Sequence, residues 1–508
     1  MDGSDEPDRP TEVELKLEVR PGDLAALMRH PLMRRLGKAK RLVSTYFDTP
    51  DGRLARARMA LRIRSDGRRH IQTLKTAGDG FLTRGEWECA VASDALDLGV
   101  LKSTPLAKVL EAGADLAPRF TIEVERRSHA VFRGGARIEL TLDVGEARVA
   151  EKSSPILEVE LELARGRPAN LFTVAAELCD AAPLRPSVRS KAEAGEALLG
   201  GGVGPSKSAR VVLDRDIDTA GAFQAVGRAC LTQFLKNERL VREARAVEAV
   251  HQARVAIRRF RAALSLFSPL FGDPESERLK TALRRTGQSL GAARDLDVLI
   301  ERVRGLELTP SFDAHSLLAA LERRRAQAYD EAAAALEAPE LSRLLFDVAR
   351  WLETGDWLTV DDPVRAAVRT RSALDFARET LKSRARKLRK ASRRVRDLEP
   401  PARHAVRIKA KKLRYGAEFF ASLAEGKAGR KAAEAFIEAL RPFQDALGEL
   451  NDLVNAERQL RVLAEISHDP NLAFAAGAAV DEVEREAGRL LKRAEKAAGD
   501  FAKAKLFL

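Results

Sequence analysis

Aromatic residues are scarce in this sequence: its 508 residues include only 3 Trp, 3 Tyr and 20 Phe. Binding by stacking bases on aromatic platforms is therefore not expected. Cysteine is scarcer still. Cys89, Cys179 and Cys230 lie far apart, match no metal-ligand spacing and offer no disulfide framework, which favours a reducing, cytoplasmic setting. No uninterrupted apolar run reaches the length of about 18 residues that reads as a membrane span. The opening MDGSDEPDRP is acidic and polar, unlike a secretory leader. Acidic charge nearly balances basic charge in the first part of the chain and falls well short of it in the second. Residues 1–200 hold 32 Lys and Arg against 31 Asp and Glu, whereas the remainder holds 56 against 44. A basic half predicts a polyanionic partner.

The chain is long enough for two to four domains. Its first 200 residues read as β-rich, with alternating runs at 12–19, 60–65, 71–75, 84–92, 120–126, 136–143 and 156–163. Turn residues punctuate them at Thr49-Pro50-Asp51-Gly52, Ala77-Gly78-Asp79-Gly80 and Arg133-Gly134-Gly135. Helical segments are expected near 22–35, 104–113 and 168–180. The number of strands suggests a closed or nearly closed antiparallel sheet. A glycine-rich break at 200–206 ends this half. Residues 215–508 carry helical periodicity and read as an all-α bundle.

The alternation gathers charged residues on one face of each strand. Glu12, Glu14 and Lys16 share one face of the first strand, opposite Val13, Leu15 and Leu17. Arg62 with Arg64, Thr73 with Lys75, Arg84 with Glu86 and Glu88, Glu139 with Asp143, and Glu158 with Glu160 and Glu162 repeat the pattern. One such strand is ordinarily half-exposed. In this set the opposite faces are apolar and need burial, so the charges are expected to line the inside of a barrel. Unpaired buried charge costs roughly several kcal/mol per group. The carboxylates therefore call for a divalent cation and the Arg/Lys cluster for an anion.

These motifs resemble the CYTH domain, the triphosphate tunnel metalloenzyme fold, over about residues 10–197. The likeness rests on Glu12-x-Glu14-x-Lys16, Ser44-Thr45-Tyr46-Phe47-Asp48-Thr49-Pro50 and Ala60-Leu61-Arg62-Ile63-Arg64. It continues through Gln72-Thr73-Leu74-Lys75, Arg84-x-Glu86-x-Glu88, Asp143-x-Gly145, Glu158-x-Glu160-x-Glu162 and Ser190-Lys191. The resemblance implies an eight-stranded antiparallel barrel that binds a triphosphate in a tunnel with Mg²⁺ or Mn²⁺. It implies phosphate contacts from Lys16, Arg62, Arg64, Lys75, Arg84, Lys191 and one of Arg126 or Arg127. It implies metal ligands among Glu12, Glu14, Asp143, Glu158, Glu160 and Glu162, with the most direct of the last three left open. Glu12, Glu14 and Lys16 are the implied catalytic residues. The implied activity is an inorganic triphosphatase yielding pyrophosphate and phosphate. Class IV adenylate cyclase, from the same fold, and a non-catalytic scaffold on polyphosphate granules are the alternatives.

The helical half repeats itself. His251, Arg254, Arg258 and Arg261 recur in spacing as His404, Arg407, Lys411 and Arg414, offsets that fall on one helix stripe. Leu290-Gly291-Ala292-Ala293-Arg294-Asp295 recurs as Leu447-Gly448-Glu449-Leu450-Asn451-Asp452. Two sub-bundles related by a pseudo-twofold are the simplest reading. These motifs resemble the CHAD domain, over about 215–508 beyond a linker at 198–214. That resemblance implies binding of inorganic polyphosphate by the two basic stripes rather than nucleic acid. Asp295, Asp297 and Asp452 either orient those basic side chains or cap helices.

Overall fold

A computed structural model describes residues 11–76, 82–110, 115–200, 204–305 and 314–508. The turn expected at 77–80, linker residues 201–203 and the acidic residues 1–10 lie outside the described residues. Contacts divide the chain into two units, Met1–Pro205 with Ala338–Gly355, and Ser206–Glu337 with Asp356–Leu508.

The first unit is built on β1 (Thr11–Glu18), β2 (Lys40–Asp48), β3 (Met59–Ser65), β4 (His70–Thr76), β5 (Thr83–Val91), β6 (Ala117–Arg133), β7 (Ala136–Val149), β8 (Lys152–Arg165) and the two-residue β9 (Arg185–Pro186). The order is β5-β4-β3-β2-β6-β7-β8-β1, antiparallel throughout. Pairing of Thr11–Val13 with Thr83–Gly85 closes it into an eight-stranded barrel, and β9 lies against Leu17 and Glu18. β2 has no alternating signature in the sequence. Its run Leu42-Val43-Ser44-Thr45-Tyr46-Phe47 packs both faces into the protein, so apolar residues occur on each.

The outward apolar faces are covered. Leu15, Leu17, Val159 and Leu161 are buried, and the helix Ala169–Ala181 packs on β1, β6 and β8. The ring of Phe172 on that helix lies 5.9 Å from Phe346 of the helix Pro339–Thr354, whose Ser342 accepts from Arg185 Nη2 at 3.0 Å. Leu61, Ile63 and Leu74 pack outward on Leu54, Leu101 and Leu106. The helix expected at 22–35 is broken by Pro31 into Leu24–Met28 and Pro31–Arg34. The one expected near 104–113 is a short 3-10 turn, Pro105–Lys108.

The interior is not charged from end to end, as the alternation had suggested. Tyr46, Phe120, Ile122, Val124, Ala147 and Ile156 face the same way as the charged residues of their strands and pack against Ala194 of the helix Lys191–Glu196. Tyr46 stacks on Phe120 at 4.8 Å. That helix is fixed by a capping box in which Ser190 Oγ accepts from the Glu193 backbone and Glu193 accepts from the Ser190 backbone. Gly195 lies flat against Phe120, where a Cβ would overlap the ring. The apolar side of this helix thus fills one end of the barrel and leaves the charge to the rest.

The second unit is helical. Thr219–Ala244, Val247–Leu266, Pro274–Arg304 and Ala314–Glu337 form one quartet, and Ala373–Ser392, Pro400–Phe420, Gly426–Ile466 and Pro470–Lys503 form another. Each helix of the first quartet packs on its counterpart in the second. That like-on-like pattern is what a twofold relation produces.

Candidate functional site

The charged residues of the barrel converge as intended by their alternation. Asp143, Glu158 and Glu160, on neighbouring strands β7 and β8, place carboxylate oxygens within 4.8 Å of one another. Three cations are laced through them. Lys191, at the first turn of the interior helix, reaches Glu158, Asp143 at 2.8 Å and Glu160 at 2.9 Å. Arg126 grips Asp143 with Nε at 2.8 Å and Nη2 at 2.6 Å, and reaches Glu160 at 2.9 Å. Lys16 lies 2.7 Å from Glu160. Burial alone would raise the Glu160 carboxyl, but Lys16, Lys191 and Arg126 hold it well below the usual range. Burial opposes charge on Lys191 too, and Glu158, Glu160 and Asp143 outweigh it.

A second group lies along β1, β4 and β5. Lys75 bridges Glu12 at 2.6 Å and Glu86 at 3.0 Å. Burial raises Glu86 to about 7, with Glu12 adding to the rise against the opposing Lys75. Burial likewise raises Glu162, helped by Glu12. Glu14 is buried, and its Oε1 makes no hydrogen bond, although Arg84 lies 3.2 Å and Lys16 3.5 Å away. Arg62 stands opposite Tyr46 across the β2–β3 ladder, with its Nε buried and unbonded. Arg64 lies 3.5 Å from Glu88, which also accepts from Thr73 at 3.0 Å.

The residues read from the alternation therefore fall in two acidic groups, Asp143, Glu158 and Glu160 in one, Glu12, Glu14 and Glu162 in the other. Of the arginine pair, Arg126 faces inward. Arg127 is the correction: it is exposed on the outer face, one residue out of phase. Glu86 went unassigned although its motif was recognised; its signal was the parity it shares with Arg84. Asp48 of the Ser44–Pro50 motif does not face the charges. Its carboxylate accepts from the backbone of Thr49, Leu54 and Ala55 and builds the turn after β2.

In the helical unit the two stripes face each other. Arg254 donates to Leu290 O at 3.1 Å and lies 3.4 Å from Asp295, and Arg407 lies 3.9 Å from Asp452. The Nε atoms of Arg258 and Arg407 are buried without hydrogen bonds. Burial lowers Lys411 to about 7, and Arg407 and Arg258 add to it. His251 is held below its ordinary value by burial and then by Arg294 and Arg258. His404 is exposed and contacts Asn451. Arg261 is exposed, with Arg284 nearby, and Arg414 is occupied by Gln444 at 2.6 Å and Glu418 at 3.0 Å. Asp295, Asp297 and Asp452 all lie inside helices, so none is a cap. Asp297 turns instead to Arg325 at 2.7 Å and Tyr329 at 2.9 Å.

Comparison with known proteins agrees with this division. The CYTH domain family matches residues 10–195 and the CHAD domain family residues 225–461. An inorganic triphosphatase from Haemophilus influenzae is 29% identical over 174 residues, 32% of this chain and 47% of that protein. The chain thus spans about half the length of that curated relative. The crystal structure of a CHAD domain from the plant Ricinus communis is 29% identical, covering 58% of this chain and 96% of that one, with a TM-score of 0.49. The putative adenylyl cyclase HpAC1 from Hippeastrum, described as having a dominant triphosphatase activity, is 19% identical over 37% of this chain and 95% of its own, with a TM-score of 0.29. The chain therefore carries a CYTH domain followed by a CHAD domain.

Proposed function

We propose that the barrel hydrolyses inorganic triphosphate to pyrophosphate and phosphate, and that the helical unit binds polyphosphate. The observation that carries the first part is the interleaving of Asp143, Glu158 and Glu160 with Lys16, Arg126 and Lys191. An all-oxygen donor set suits a hard cation such as Mg²⁺ or Mn²⁺, and the unbonded, buried Glu14 Oε1 fits a site built for more than protein partners. When bound, the metal would supply polarisation of phosphoryl oxygens. The chain's own part is positional and electrostatic. Lys16, Lys191 and Arg126 exchange carboxylate partners for phosphate oxygens, and the bidentate fork of Arg126 suits that exchange. Arg62, Arg64, Lys75 and Arg84 extend the cationic wall. Water oxygen bonds to the terminal phosphorus as the bridging P–O bond breaks, and pyrophosphate departs with the bridging oxygen. Glu86, on the inward face of β5 and 3.0 Å from Lys75, with its carboxyl pushed up to about 7 chiefly by burial, is the group assigned to take the water's proton.

The test is phosphate release from tripolyphosphate by the purified protein with Mg²⁺ or Mn²⁺. Glu160→Gln should lower kcat by about 100-fold or more. Absence of turnover in the wild type, or full activity in Glu160→Gln, sinks the reading. Product analysis with ATP separates it from a cyclase, which would release pyrophosphate and cyclic AMP.

A further inference from the structure

A cavity of about 470 Å³ opens at the end of the barrel away from the interior helix, lined in part by Lys38, Lys40, Arg64 and Arg69. It joins the charged interior directly. Arg126 lines it, Lys40 is the cross-strand partner of Arg126, and Arg126 is that of Asp143. The opposite end is blocked: Tyr46, six residues beyond Lys40 on β2 and so about 20 Å away, packs against the interior helix. The cavity also holds two acids. Asp66 is spent on the turn, accepting from the backbone of Arg68 at 3.0 Å and Arg69 at 2.9 Å, and Glu139 lies on the β7 side. Cations outnumber them. The apolar part of the wall is Leu42 and Ile71, with no aromatic ring among the lining residues. A nucleobase has nothing there to stack on, whereas a further run of phosphates meets five cations, Lys38, Lys40, Arg64, Arg69 and Arg126, against two carboxylates.

We propose that this cavity is a subsite for phosphate units beyond the three held in the interior, so that the barrel takes a linear inorganic polyphosphate by one chain end. The inference rests on the triphosphatase reading and names a longer substrate for the same site. Lys38 and Arg69 are exposed side chains outside the interior network, so replacing them leaves the site itself intact. Two exposed cations together are worth about tenfold in affinity.

The experiment measures phosphate release by the full chain with Mg²⁺ from tripolyphosphate, from a long linear polyphosphate and from ATP. Wild type is compared with the double variant Lys38→Gln, Arg69→Gln. The helical unit is the same in both proteins, so its own affinity cancels. The expected result is a KM about five- to tenfold higher for the long chain in the variant, with unchanged kcat, and with tripolyphosphate and ATP altered less than about twofold. Equal effects on all three substrates, an effect confined to ATP, or no effect on the long chain overturns the subsite and leaves the triphosphatase reading standing. A wild type that cleaves no tripolyphosphate overturns both.

Discussion

Lys411 shows how one side chain couples binding to pH. In the free protein its ammonium is lowered to about 7 by burial and by Arg407 and Arg258. A bound polyanion favours the charged form and raises that value, so binding takes up a proton at any pH between the free and bound values. Affinity for polyphosphate should therefore fall as pH rises above about 7, and the contribution of Lys411 to that dependence ends once the lysine is charged in both states, below about pH 6. Titration calorimetry near pH 8 in two buffers of different ionisation enthalpy should report uptake approaching one proton, abolished in Lys411→Arg. Equal heats in the two buffers would exclude the coupling. Arg126 and Arg127 illustrate how much such chemistry depends on parity. Adjacent in sequence and identical in type, they are told apart only by which face of β6 meets the carboxylates, and that is decided by the partner strand β7 rather than by β6 itself.

At the level of elements, the short helix Lys191–Glu196 does two things at once. Its apolar side closes the barrel through Ala194, and its first residue delivers an ammonium to three carboxylates. Position and packing are thus coupled. Gly195→Ala would force a methyl into the Phe120 ring, itself stacked on Tyr46, and should destabilise the protein by about 1–3 kcal/mol. Because Lys191 rides on the same backbone, KM for tripolyphosphate should rise as well. Thermal denaturation with parallel kinetics checks both, and an unchanged melting temperature would contradict the close packing described for this helix. The strands that line the site were legible because their faces differ: Glu12-Val13-Glu14-Leu15-Lys16 declares an inside and an outside. β2 was not, since both of its faces are buried and alternation disappears. The apolar end of the interior was hidden for a related reason. Phe120-x-Ile122-x-Val124 alternates like any core-facing strand, and nothing local says that its core is the inside of the same barrel whose other half is charged. The helical stripes were legible through repetition, but Gln444 beside Arg414 and Arg325 and Tyr329 beside Asp297 come from other helices and carry no local signal.

Across the whole molecule, charge is divided as the two units are, with the excess of Lys and Arg falling after residue 200. Polyphosphate binding by the helical unit should accordingly be salt-sensitive, weakening by about tenfold or more as the ionic strength rises from roughly 0.05 to 0.2 M and the Debye length shortens. The buried interior of the barrel is screened less, so KM for tripolyphosphate should move far less over the same range. A salt series following polyphosphate binding and triphosphate turnover on one preparation checks this, and parallel slopes would argue against two separate anion sites. The division has a further consequence in time. The barrel unit is discontinuous in the chain: the helix carrying Ser342 and Phe346 is written after the first helical quartet. A chain emerging from the ribosome completes its domains in order of their last residue. The β-strands appear first, yet Phe172 and Arg185 must wait for that late segment, so the half that begins the protein is finished only when the other half is well under way.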